Sequence, residues 1–197
     1  MTWGRGRALL ALGVVVLAGG CGPGGGAAVS VTAAPRPATP KPPACPTDGL
    51  RVSLGPVDGA MGLRAVQLRV VNCSTASRTV SGYPAVRVLD EHRAPYHVTV
   101  HHGPSVAGAG AVVDPGPTRI ALAPGRLATA ALVWRNLVTR SDVVALTGAA
   151  VEITPTQGAL PHSLPLNVDL GNTGRLDVMA WQAAPPTATD RPASPPT

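Results

Sequence analysis

Short segments in which apolar and polar residues alternate recur between residues 45 and 182, and they limit the fold more than any other feature of the sequence. A period of two residues is typical of β-strands with one buried face, and turn-forming Gly, Pro, Asn and Asp residues separate the segments. The predicted strands are residues 50–54, 65–71, 78–81, 85–89, 97–100, 119–122, 128–134, 150–154, 164–170 and 176–180.

Strands of this length, spaced by about ten residues, predict an all-β fold, an antiparallel sandwich or barrel. No stretch keeps apolar residues at the helical period of 3.6 across three turns, and we expect at most one helical turn, in residues 137–146. The sequence has no Phe and few other aromatic residues. The core is therefore expected to consist of small aliphatic side chains, which suit sheet packing.

The first 20 residues have the parts of a secretory signal. Arg5 and Arg7 precede an apolar stretch at residues 8–18, which is shorter than the roughly 20 residues of a membrane span. Residues 17–21 (LAGGC) resemble the bacterial lipobox, which implies a lipid on the Cys21 thiol and cleavage after Gly20. We therefore predict a signal peptide at residues 1–20 and a lipid-anchored protein on the extracytoplasmic face of the cell membrane.

A plain secreted protein with an incidental Cys21 is the alternative, and the residues that follow argue against it. Residues 21–44 are Gly-rich and then Pro-rich, with too little apolar bulk to pack, so they are predicted to be a disordered tether. Residues 45–182 are predicted to form the β-domain. Residues 183–197 are rich in Ala, Pro and Thr and are predicted to be a disordered tail.

The net charge of +6 does not indicate a nucleic-acid partner. Residues 45–182 contain eleven Arg and nine acidic residues, a difference of only +2, and the cations are scattered singly. A nucleic-acid interface would need a basic patch, and the sequence shows none. We expect no nucleic-acid partner.

Two further cysteines, Cys45 and Cys73, remain once Cys21 carries lipid. Outside the cytoplasm such a pair is expected to form a disulfide, here around a loop of about 28 residues that would stabilise the fold by roughly 3–4 kcal/mol. Two free thiols are the alternative. A zinc site is disfavoured because no second Cys or His lies within two to five residues of either cysteine.

Several stretches occur in the order found in one family. They are Cys45, Leu50-Arg51-Val52, Asn72 followed by Ser74, Gly82-Tyr83-Pro84-Ala85-Val86 and Leu122-Ala123-Pro124-Gly125. Over about residues 45–182 the chain resembles an uncharacterised domain family of the DUF4232 type, widespread in actinobacterial lipoproteins. The resemblance implies an immunoglobulin-like β-sandwich on a lipid anchor, with no established activity to carry over.

The chain also departs from that family. Many members place the second cysteine where this chain has Arg78, and members often carry another pair near this chain's Ser141 and Gly171-Asn172. Both cysteines of that later pair are missing here, which is the pattern expected from the loss of one disulfide. The disulfide pairing is therefore not carried over by analogy.

Four histidines within eleven residues, among them His97, His101 and His102, are candidate zinc or copper ligands. On one strand His97 and His101 would share a face but stand about 13 Å apart, at roughly 3.3 Å per residue, which is too far for one ion. His101 and His102 would point to opposite faces. We expect exposed histidines and no bound metal or other cofactor, with a metal-binding lipoprotein as the alternative function.

The candidate catalytic motifs lack the flanking sequence pattern that an active site would need. Residues 103–108 (GPSVAG), with Ser105, are one residue too long for the G-x-S-x-G elbow and precede no helix pattern. The adjacent carboxylates Asp90 and Glu91 diverge at a predicted hairpin turn. We therefore expect no enzymatic activity.

Three aromatic residues could act as ligand contacts or as parts of the scaffold. Tyr83 is expected to anchor a corner of the sandwich through its hydroxyl. Trp134 and Trp181 end predicted strands and are expected to pack against the core. The sequence thus predicts a non-enzymatic, surface-tethered β-sandwich that binds an unidentified envelope protein or glycan.

Overall fold

The structure, a computed structural model, describes residues 44–106 and 112–185, and these residues form eleven strands and no helix. The strands are β1 (Leu50–Ala60), β2 (Leu63–Asn72), β3 (Arg78–Ser81), β4 (Ala85–Leu89), β5 (Thr99–His102), β6 (Arg119–Leu122), β7 (Leu127–Arg135), β8 (Leu146–Thr154), β9 (His162–Gly171), β10 (Arg175–Val178) and β11 (Gln182–Ala183). Within these two ranges, no helix is long and apolar enough to cross a membrane.

The strands form one large sheet and two small ones. The large sheet has the order β1-β2-β7-β10-β5, and β11 also pairs with β7. The second layer contains the pair β3-β6 and the three-stranded sheet β4-β8-β9. All strand pairs are antiparallel except β5 with β10, which is parallel. Side chains from all three sheets meet in one core, so the predicted all-β sandwich is confirmed.

The alternation in the sequence becomes the two faces of each strand. On β2, Val66, Leu68 and Val70 are buried, whereas Gln67 and Arg69 are exposed. Each fully buried Val or Leu stabilises the fold by about 1.5–3 kcal/mol relative to an exposed one. Val, Leu, Ile and Ala make up most of this core, as the composition predicts.

Two tryptophans, Trp134 and Trp181, belong to the core and not to the surface. Trp134 and Trp181 are both fully buried, as expected. The indole N–H of Trp134 donates to Asp169 Oδ1 at 2.8 Å, and that of Trp181 donates to the Pro155 carbonyl oxygen at 2.7 Å. Each polar indole group therefore has a partner, which removes the cost of burying it.

The structure corrects two predictions. No helical turn forms in residues 137–146, which are a loop that leads into β8 at Leu146. The strand predicted at residues 97–100 is wrong by two residues, because β5 begins at Thr99, where its backbone N–H donates to the Gly174 carbonyl oxygen at 2.8 Å.

The sandwich has two ends, which serve below as landmarks. The base is the end with Cys45 and Cys73, beside the start of β1. The tip is the other end, formed by residues 60–63, 136–145 and 171–174. β1 runs 11 residues from base to tip, about 33 Å at roughly 3.3 Å per residue. Its core-facing half ends at a bulge between Leu54 and Val57, beyond which the strand is exposed.

Candidate functional site

The disulfide at the base links Cys45, which lies five residues before the start of β1, to Cys73, the residue after β2. The structure contains the expected Cys45–Cys73 bond, with 5.7 Å between the two Cα atoms. The Cys73 backbone N–H also donates to the Gly49 carbonyl oxygen at 2.9 Å. The bridge therefore fixes Cys45 beside the end of β2.

Tyr83 forms the corner that the sequence predicts. Its hydroxyl donates to Asp114 Oδ2 at 2.8 Å, and its ring is stacked on that of His102, with 4.2 Å between centroids. The hydrogen bond to the Asp114 carboxylate, followed by burial, raises the pKa of Tyr83. Asp114 Oδ1 also accepts the backbone N–H of Ala180 at 3.0 Å. Tyr83 is therefore held on a ring face and at its hydroxyl.

The candidate metal ligands do not converge. The ring of His102 lies against Tyr83, His97 precedes β5, and His101 lies in register with Asp177 of β10. The Nε2 atom of His101 is buried and has no hydrogen-bond partner in the described part of the chain. Across residues 44–106 and 112–185, no three His, Cys, Asp or Glu side chains are grouped so as to hold one metal ion.

Ser105 is tied to a buried carboxylate. Its hydroxyl donates to Asp177 Oδ1 at 2.6 Å, and the backbone N–H groups of Ser105 and Val106 both donate to Asp177 Oδ2 at 2.6 Å. Asp177 is fully buried. A nucleophilic serine needs a general base that accepts its proton, usually a histidine, but this hydroxyl is bonded to a carboxylate that also holds the backbone. The contacts fasten residues 105–106 to β10.

The tip carries exposed apolar side chains. Met61 is 97% exposed and has a φ of 46°, which is unusual for a residue other than glycine. The Asn136 backbone N–H donates to the Gly62 carbonyl oxygen at 2.8 Å, which joins the β1–β2 turn to the loop before β8. That loop adds four more large apolar side chains to the exposed set, Leu137, Val138, Val143 and Val144.

Asn172 holds this tip loop in shape. Its side-chain amide donates to the carbonyl oxygens of Arg140 and Val143, and its Oδ1 accepts the backbone N–H of Thr139 at 2.9 Å. Its own backbone N–H donates to the Leu137 carbonyl oxygen at 3.1 Å. The exposed apolar side chains therefore stand on a loop that is fixed by several hydrogen bonds.

A cleft of about 450 Å³ opens near the base, between the β3–β4 connection and the end of β8. None of its six lining residues is charged, and five of them carry a hydroxyl or an amide. The lining residues are Ser81, Tyr83, Ala85, Thr154, Thr156 and Gln157.

Comparison with protein families decides to which group the chain belongs. The model of a domain of unknown function, DUF4232, matches residues 45–182. The chain belongs to the DUF4232 family. Neither a curated protein nor a solved structure matches it.

The DUF4232 domain uses residues that sequence reasoning missed. Asp114 and Asp177 were not singled out, although each accepts three hydrogen bonds. Met61 was missed because one apolar residue in a turn carries no periodic signal. An Asp that follows or interrupts an apolar segment is the signal that could have identified Asp177.

The predicted lipid anchor lies outside the described part of the DUF4232 protein. Cys21 falls there, together with the predicted signal peptide at residues 1–20 and all but the last residue of the predicted tether at residues 21–44. The tail predicted from residue 183 begins within β11, and Ala184 still donates its backbone N–H to the Leu127 carbonyl oxygen at 3.2 Å.

Proposed function

We propose that this chain is a lipid-anchored protein of the cell envelope, and that its DUF4232 domain binds another protein through the tip and catalyses no reaction. The observation that carries the proposal is the set of five exposed apolar side chains at the tip, Met61, Leu137, Val138, Val143 and Val144. Exposed apolar clusters of this kind mark interaction sites, because burial against a partner removes their unfavourable contact with water.

The shape of the tip supports docking rather than chance exposure. Hydrogen bonds from Asn172 and Asn136 fix the loop, so its side chains lose little backbone freedom when they bind. The unusual backbone of Met61 holds its side chain outward at the turn. A pre-organised apolar group of this kind is typical of the residues that dominate the binding energy of protein interfaces.

The charges of the tip favour a protein partner over a lipid surface. The tip residues 60–63, 136–145 and 171–174 contain one cation and one anion, Arg140 and Asp142, and these form an ion pair at 2.6 Å. Attachment to anionic headgroups is favoured by a cluster of Lys or Arg. Of the three arginines that border the tip, Arg64 pairs with Asp169 and Arg135 donates to the Val106 carbonyl oxygen, which leaves Arg175. The predicted tether would join the domain at the base, about 33 Å from the tip.

Site-specific photo-crosslinking in living cells tests the docking surface. A photoreactive amino acid at Val138 of the full chain is expected to form protein adducts, and the same group at exposed Thr75, near the base, is the matched control. The Val138 adducts should fall to the Thr75 background when Met61→Lys and Val144→Lys are added. Adducts that persist in that double variant, or that are lipids alone, would contradict the proposal.

The anchor and the absence of catalysis have separate tests. Metabolic acyl labelling should mark the chain, and Cys21→Ser should abolish the label and release the protein from the membrane. Labelling that survives in the Cys21→Ser variant would refute the lipid anchor. Reaction of Ser105 with a reactive-serine probe would refute the non-enzymatic assignment.

A further inference from the structure

The cleft near the base presents uncharged hydrogen-bonding groups that are open to solvent. Within the described residues, the side chains of Ser81, Thr154, Thr156 and Gln157 are exposed or half-buried and make no hydrogen bond to another part of the protein. Hydroxyl and amide side chains both donate and accept, so the four of them can satisfy a ligand that carries many such groups.

Trp181 joins the two walls of the cleft. Its backbone N–H donates to the Gly82 carbonyl oxygen at 2.9 Å, next to Tyr83 on one wall. Its indole N–H donates to the Pro155 carbonyl oxygen at 2.7 Å, between Thr154 and Thr156 on the other wall. Because Trp181 is fully buried, these bonds set the width of the cleft before any ligand arrives.

Tyr83 gives the cleft a fixed aromatic wall. Its hydroxyl is engaged by Asp114, and His102 covers one face of its ring. Tyr83 lines the cleft whereas His102 does not, and Tyr83 also packs against the core. A ring held in this way supplies contact area with little loss of rotamer freedom on binding.

We propose that this cleft binds a neutral carbohydrate. A sugar ring combines an apolar C–H face, which packs on an aromatic ring, with hydroxyl groups around its edge, which pair with neutral donors and acceptors. The volume of about 450 Å³ lies in the range of small-molecule sites and has room for one or two sugar units. This proposal goes beyond docking at the tip and does not depend on it.

Other ligand classes fit less well. A phosphate or carboxylate ligand would need a cation, and none of the lining residues is Lys, Arg or His. An acyl chain would need an apolar lining, but Ala85 is the one aliphatic residue among the six. A neutral ligand with many hydroxyl groups is the class that matches the lining.

Titration of the full chain, purified in a detergent without a sugar headgroup, tests the site. The probes are neutral disaccharides of glucose, galactose, mannose and N-acetylglucosamine, followed by saturation-transfer NMR and calorimetry. At least one should bind saturably. Thr154→Val together with Gln157→Leu should weaken that binding about tenfold or more, because two hydrogen-bonding side chains are lost. Thr147→Val, at an exposed position on the same strand, should leave it unchanged.

Three results would overturn the proposal. They are the absence of saturable binding by any disaccharide of the panel, unchanged affinity in the Thr154→Val, Gln157→Leu variant, and an equal loss in Thr147→Val. Tyr83→Ala would remove the aromatic wall but could also unfold the corner, so the two conservative substitutions on the opposite wall decide the outcome.

Discussion

Asn72 is the side chain through which the base of the sandwich can be tested most directly. It is the last residue of β2 and is fully buried. Its Nδ2 donates to the carbonyl oxygens of Leu122, at 2.7 Å, and Ala76, at 2.8 Å. Its Oδ1 accepts the Ser74 backbone N–H at 3.0 Å and the Ser74 hydroxyl at 2.8 Å. One amide therefore connects the end of β2, the following turn and the end of β6.

Replacing Asn72 by Ala removes hydrogen bonds from Ser74, Ala76 and Leu122, and the free-energy cost differs among these partners. Ser74 and Ala76 are near the surface and can bond to water, so each loses about 0.5–1 kcal/mol. Leu122 is buried, and its carbonyl oxygen would keep the long hydrogen bond from the Ser77 hydroxyl, at 3.4 Å, but lose the short one from Asn72, which costs about 1–3 kcal/mol. Asn72→Ala is therefore expected to lower the free energy of unfolding by about 2–4 kcal/mol. Asn167→Ala, at an exposed position on β9, should change it by less than about 0.5 kcal/mol.

Asn72→Asp is a stricter test, because aspartate has the shape of asparagine but carries an accepting oxygen in place of the donating NH2 group. The aspartate keeps an acceptor for Ser74 and places its second oxygen against the Leu122 and Ala76 carbonyl oxygens. At neutral pH it should therefore be less stable than Asn72→Ala. Burial and the facing carbonyls raise the folded-state pKa of this aspartate. The extra destabilisation is therefore absent below about pH 4, the ordinary pKa, and grows as pH rises above it.

Urea unfolding of the full chain carrying Cys21→Ser, with the disulfide intact and tryptophan fluorescence as the signal, measures these differences. The midpoint should fall in the order Asn167→Ala, Asn72→Ala, Asn72→Asp, with an unchanged slope. The reasoning fails if Asn72→Ala is within about 0.5 kcal/mol of Asn167→Ala. It also fails if Asn72→Asp is the more stable of the two Asn72 variants at neutral pH.

Further predictions concern the turns, the titration of Tyr83 and the disulfide. Gly171→Ala would push a methyl group into the Leu137 carbonyl at a φ of +58° and should prevent stable folding, whereas Gly116→Ala, with open space around it, should cost about 1–2 kcal/mol in urea unfolding. Since Asp114 raises the pKa of Tyr83, stability conferred by the neutral phenol is present below about pH 10 and lost above it. Asp114→Asn should therefore lower the pH at which phenolate absorbance appears. Reducing the disulfide, which spans 28 residues, should lower the free energy of unfolding by roughly 3–4 kcal/mol.

The strands could be predicted from the sequence wherever burial alone decides them. β3, β4 and β6 have the predicted bounds, because buried positions alternate with more exposed ones along β3 and β6 and along β4 as far as Val88. β1 extends six residues past its predicted end at residue 54. Those residues are paired in the hairpin with β2, and their side chains are mostly exposed, so no apolar pattern records them.

The helical turn expected in residues 137–146 failed for a related reason. On a helix, at about 100° per residue, Leu137 and Val144 would share a face but Val138 and Val143 would stand about 140° apart. All four side chains are exposed. Asn172 satisfies the carbonyl groups that a helix would have satisfied internally. A contact between residues about 30 positions apart cannot be inferred from local periodicity.

In the candidate sites, too, local motifs could be predicted from the sequence, whereas contacts between residues far apart in the chain could not. The Gly82-Tyr83-Pro84 sequence predicted a corner, and the hydroxyl of Tyr83 does anchor it. Its partner Asp114 lies 31 residues away, and the opposite wall of the cleft begins near residue 154. The sequence could therefore identify one wall of the cleft but not the cleft.

The tip loop also shows how this chain holds its tip without the later cysteine pair that the family resemblance implies near Ser141 and Gly171-Asn172. Asn172 now bonds three backbone groups of the loop, at Thr139, Arg140 and Val143. Each exposed hydrogen bond contributes about 0.5–1.5 kcal/mol, so together they hold the loop without a covalent link. In this chain, hydrogen bonds therefore pre-organise the proposed docking surface at the tip, whereas a disulfide closes the base.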